Sequence, residues 1–110
     1  MSSYLLTVRD FEVLDDGVRL VPGVPQSHLA EMPEVSRNLM QGSELELRFP
    51  DGTTVVTSLV TFGVTVCRDE NGEYYFPDHP SRLDLNLTVA LPEGVDAIPA
   101  GTEVWFVLPE

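Results

Sequence analysis

The chain predicts an all-β domain: a small closed or partly open antiparallel barrel of about seven to eight short strands. Three observations predict it. Apolar and polar residues alternate at period two in several stretches, which puts one face of an extended chain in a dry core and the other in water. Turn residues punctuate the sequence roughly every eight to twelve positions, the spacing of sandwiches and barrels. No stretch carries the three-and-four apolar spacing of a long amphipathic helix.

The clearest element is the hairpin over residues 42–62. Leu45, Leu47 and Phe49 alternate with Glu44, Glu46 and Arg48. Pro50-Asp51-Gly52 then supplies turn chemistry: proline pre-sets φ and glycine takes positive φ without a Cβ clash. The return strand, from Thr53 to Phe62, is built almost entirely of Thr, Val and Leu, which suit a pleated and largely covered surface.

Upstream, residues 4–13 predict a first strand with Tyr4, Leu6 and Val8 on one face. Arg9-Asp10 interrupts it as a bulge, and Phe11 and Val13 resume on the opposite parity. Asp15-Asp16-Gly17 turns the chain into a second strand over residues 18–21, which Pro22, Gly23 and Pro25 stop. Residues 26–41 form the longest connection. There Ser27 caps a helical turn over residues 28–32, Pro33 ends it, and residues 34–40 form another turn. Met32 and Met40 are expected to plug one end of the barrel.

Downstream, Gly63 permits a kink and the strand continues through Val64 and Val66 to Arg68. Asn71-Gly72 is the core of a second hairpin turn, with a return over residues 73–76. Leu83, Leu85, Leu87, Val89 and Leu91 alternate with Asp84, Asn86, Thr88 and Ala90 as an amphipathic strand. Pro92-Glu93-Gly94 turns it, residues 95–98 are expected to form a short helical turn, and residues 102–108 make the last strand.

Composition narrows the function. At 110 residues and 43% hydrophobic, the chain is the size of one domain with a modest core. Its 18 acidic residues against six basic ones give a net charge of -12. All six are arginines, scattered along the chain. Such a surface repels a phosphate backbone and suits a basic partner. A single cysteine, Cys67, excludes an internal disulfide and a cysteine-based metal cluster. No apolar run has membrane-spanning length and the first residues lack a leader pattern, so a cytoplasmic protein is expected, without a membrane partner.

No constellation calls for a cofactor, a metal or an enzyme. His28 and His79 are in no ligand spacing, and Ser27-His28 lacks the glycine pattern of a nucleophile elbow. The acidic turn at residues 69–73 lacks the loop length and terminal glutamate of a calcium site. Partner contact is the remaining possibility. With Val104, Phe106 and Leu108 facing the core, Trp105 and Val107 face outward. Trp105 is then either a contact patch or a residue covered by the first strand or the long connection. Tyr74 and Tyr75 pose the same alternative, since one of the two faces out.

Three blocks of sequence, FEVLDDGVRLVPG, GSELELRFPDGTTVVTSLVTFGV and LTVALPEGVDAIPAGTEVWFV, together resemble the β-barrel that follows the GTPase domain in elongation factor Tu and its relatives. The matching positions are Gly17, Gly23, Gly42 with Glu44, then Leu91, Gly94-Val95, Ile98, Gly101 and Glu103-Val104. The resemblance covers about residues 11–108. It implies the barrel fold and, as an alternative function, RNA binding. Ala100 stands where the family often has a basic residue, and the connection before Gly42 is longer than the family's. The residues themselves point first to an acidic, non-enzymatic module that binds a protein partner or a second copy of itself.

Overall fold

The computed structural model describes residues 2–64, 67–68, 70–75 and 84–108. In chain order the elements are β1 (Ser2–Thr7), β2 (Asp10–Leu14), β3 (Gly17–Val21), α1 (Gln26–Ala30), α2 (Pro33–Asn38), β4 (Glu44–Arg48), β5 (Thr54–Val64), β6 (Cys67–Arg68), β7 (Tyr74–Tyr75), β8 (Leu85–Val89) and β9 (Glu103–Val107). The fold is the expected all-β one. Seven strands form one antiparallel sheet in the order β1-β9-β4-β5-β8-β3-β2, and β6 pairs with β7 in a separate hairpin.

Two features roll this sheet into a partly open barrel. The first is β5, whose 11 residues serve both halves: its start pairs with β4 and its end with β8, with a register shift between Leu59 and Thr61. The second is the corner at Val8 and Arg9. Val8 exchanges backbone bonds with the β9 side, donating to Thr102 O and accepting from Gly101 N–H, both at 2.8 Å. Arg9 N–H instead donates to Val21 O at 2.8 Å, on the β3 side. The two outermost strands of the sheet are thus consecutive in the chain, and the chain itself spans the seam.

The core lies inside this roll. Leu5, Val8, Leu20, Leu45, Leu47, Leu59, Leu87, Ile98, Val104 and Phe106 are all buried. In the central hairpin Leu45 faces Thr57 and Leu47 faces Val55, and Gly52 closes the turn at φ 93°. The Asp51 carboxylate accepts from the Thr53 hydroxyl (2.6 Å) and the Thr53 N–H (2.9 Å). These bonds hold the Asp51 carboxyl below its ordinary pKa.

Two glycines are required where β3 passes close to β8. A Cβ on Gly17 would lie 2.5 Å from Val89 O, and one on Gly23 would lie 2.9 Å from Leu85 O. Both obstacles are backbone, which cannot swing aside. These close approaches let Val18 pair with Val89, and let Val24 and Leu85 exchange two 2.8 Å bonds beyond the end of the strand.

The structure corrects several local expectations. The bulge of the first strand is between Tyr4 and Leu6, so Leu5 and Leu6 are both buried while Tyr4 is half-buried. Arg9-Asp10 is the point where the chain changes partner strand. Helix α1 starts at Gln26, with Pro25 and not Ser27 at its N-cap position. Pro33 starts α2 as well as following α1, since a first-turn proline gives up an N–H that has no helical partner anyway. Met32 is buried, but Met40 is 61% exposed and plugs nothing. Thr88 is buried although its parity predicted the wet face, and Leu91 is 40% exposed beyond the end of β8. Residues 95–98 form no helix, and Ile98 reaches the core from an irregular stretch. Val66, Phe76, His79 and Leu83 lie outside the described residues.

Candidate functional site

Three places on this frame have the composition of a site. The first is the outer face of β9. Val104 and Phe106 point into the core, leaving Glu103, Trp105 and Val107 on the other side, all half-buried. Register brings Tyr4 of β1 and Glu46 of β4 beside Trp105. The Tyr4 ring meets the indole edge-on, with centroids 5.6 Å apart, and the Arg48 guanidinium carbon lies 3.9 Å from the indole centroid.

The polar atoms of this cluster are satisfied from within. Trp105 Nε1 donates to Glu103 Oε1 at 3.1 Å, and Arg48 Nε donates to Glu46 Oε1 at 2.6 Å. The Tyr4 hydroxyl shares a 2.5 Å hydrogen bond with Thr7 Oγ1. His28 packs against Tyr4 at 5.8 Å, and its Nε2 is 2.9 Å from Tyr4 O. A carbonyl only accepts, so Nε2 carries the hydrogen and His28 pins α1 to β1. Trp105 and Val107 are therefore on the outer face, with Trp105 partly covered by β1 and by Arg48. Of Tyr74 and Tyr75 the structure describes the backbone only, paired with Arg68 and Cys67.

The second place is a cleft of about 590 Å³ between α1 and the β1–β2 corner, lined among others by Tyr4, Arg9, Pro22, His28, Glu31 and Asp84. Its charges are mixed, one arginine against two carboxylates, and none of the three is in an ion pair among the described residues. Nothing in it is arranged as a nucleophile with a base. Among the described residues, no three His, Cys, Asp or Glu side chains group in a way that could hold a metal ion. No helix among them is long and apolar enough to cross a membrane.

The third place is β2. It is one of the two outermost strands of the sheet, with β1 at the other end, and pairs only with β3 among the described residues. Val13 is 65% exposed, and Glu12, Leu14, Asp15 and Asp16 around it are exposed as well. Glu12 holds Arg19 across the hairpin at 2.5 Å, with both side chains about half in solvent. Reasoning from sequence placed a strand here but did not single it out, because which strand ends up outermost depends on pairing far along the chain. The signal present was the density of acids in DFEVLDD, the composition of a guarded edge.

The sequence matches no protein-family model, and neither a curated protein nor a solved structure matches it.

Proposed function

We propose that the chain is a non-enzymatic protein-binding module that takes up an extended segment of a partner along the outer edge of β2. The observation that carries this reading is an edge strand with no neighbour on its outer side among the described residues and a large aliphatic residue, Val13, held 65% in solvent. Exposed edges present unpaired N–H and C=O groups, and adding a strand is the common way to satisfy them. The aromatic cluster on β9 supports the reading less, because its polar atoms are already bonded to one another. RNA binding, which the translation-factor resemblance implies, has little basic surface to draw on: two of the arginines, Arg19 and Arg48, are held by glutamates.

The test is Val13→Pro. The substitution removes an edge donor that β3 does not use, and edge strands tolerate proline. Circular dichroism and the unfolding midpoint should stay close to those of the parent chain. A partner captured by the parent protein should be lost by the variant. Equal capture by both proteins would remove β2 as the docking edge. Sedimentation over a concentration series separates the self-associating form of the proposal from the form with a foreign partner.

A further inference from the structure

The chemistry of the occupant can be read from the same edge, an argument that rests on the protein-binding reading. Leu14 and Gly17 are paired across the two-residue turn of Asp15 and Asp16. The pair that closes such a turn is a hydrogen-bonded one, and bonding alternates from there. Leu14, Glu12 and Asp10 therefore turn their main-chain groups toward β3, while Phe11 and Val13 turn theirs away. Phe11 N–H fits this: it donates to Asp10 Oδ1 at 2.8 Å instead of to β3. What remains open is Phe11 C=O, Val13 N–H and Val13 C=O, which have no partner among the described residues. That is room for a short strand.

Side chains settle what kind of strand. Phe11 and Val13 are opposite Leu20 and Val18, which are core residues, so a strand laid beside them continues an apolar face. Asp10 and Glu12 project from the other face, and Asp15 and Asp16 follow at the turn. The sole cation facing Glu12 across the hairpin is Arg19, and that pair is solvated enough to be shared at little cost. A second copy would bring the same four acids against these four, on chains of net charge -12 each, and like charges on neighbouring strands repel.

We infer that the β2 edge receives a foreign segment alternating apolar with basic residues, its apolar side chains beside Phe11 and Val13 and its Lys or Arg beside Asp10 and Glu12. Backbone bonds at Val13 hold the segment, and the acids choose it over other extended chains.

The experiment titrates isotopically labelled protein with three short synthetic peptides. All carry valine at alternate positions, with lysine, serine or glutamate between. The lysine peptide should shift the amides of residues 10–14 and bind about tenfold tighter than the serine peptide, with the advantage shrinking as salt rises. The glutamate peptide should leave those amides in place. The quadruple variant Asp10→Asn, Glu12→Gln, Asp15→Asn, Asp16→Asn, which keeps the Oδ1 acceptor for Phe11 N–H, should bring the lysine peptide down to the serine level without weakening the serine peptide. Equal affinities for lysine and serine peptides would overturn the inference. So would lysine-peptide shifts centred on Glu44 and Glu46, no shift at residues 10–14 with any peptide, or a parent-chain dimer that Val13→Pro dissolves. Partner capture decides the underlying reading separately: loss with Val13→Pro beside equal peptide affinities sinks the charge rule alone, whereas capture unchanged by Val13→Pro sinks both.

Discussion

The outer face of β9 and the outer edge of β2 belong to one sheet and differ in what they leave undone. Around β9 the conspicuous side chains are Trp105, Tyr4 of β1 and Arg48 of β4, the types that dominate protein interfaces. Tyr4 meets the indole edge-on, Arg48 lies over it, their polar atoms bond to Thr7, Glu46 and Glu103, and β9 has a neighbouring strand on each side. On β2 the side chains are ordinary, a valine among acids, but the backbone lacks a partner on one side among the described residues. The contrast is between an open main-chain edge and a satisfied aromatic face.

The largest effect that would test this contrast is in the core beneath β9. Phe106→Ala should cost about 3–5 kcal/mol in denaturant unfolding, because Phe106 is fully buried, while Val13→Ala should change stability by less than about 0.5 kcal/mol. Comparable losses at the two positions would mean that β2 is covered in solution. Next comes Gly17→Ala. Its methyl would press on Val89 O and push β3 away from β8, at a cost of about 2–3 kcal/mol. Hydrogen exchange should rise in β2 and β3 before it rises in β4 and β9, and a uniform rise would erase the distinction between the two regions.

Arg48→Ala removes a guanidinium from the Trp105 face and should cost about 0.5–1 kcal/mol, with a change in tryptophan fluorescence and partner capture retained. Loss of capture in this variant would move the interface to β9. The smallest effect belongs to the central turn. The Asp51 carboxyl titrates lower folded than unfolded, so its contribution is present above the unfolded value and fades as pH falls through the folded one. Asp51→Asn should flatten that acid-side slope by lowering stability slightly at neutral pH while leaving it unchanged below the folded value; an undiminished slope would assign it to other carboxylates.

What the sequence disclosed follows from the range of each interaction. The β4–β5 hairpin was legible because Asp51-Gly52 and the flanking alternation act within a few residues. The parity of β9 was legible for the same reason: Val104 and Phe106 face the core as alternation requires. The bulge at Leu5 was not, since it adjusts β1 to the register of a strand near the other end of the sequence. Nor was the burial of Thr88, which sits where β3 crosses β8 at the distance that Gly17 permits. For the candidate site, the acids of β2 were plain in the sequence, but its place at the rim depends on the whole strand order.

The corner at Val8 and Arg9 also dictates when the barrel can be completed during synthesis. Ser2 pairs with Val107, so β1 is made before β2 to β8 yet finds its ladder only after them. Until β9 emerges, β1 has no partner strand and β4 has only β5 among the described residues, so the aliphatic interior stands open to chaperones and proteases. A nascent chain halted before Glu103 should be cut readily within β1, and the released protein should refold on the millisecond-to-second scale of sequence-distant pairing.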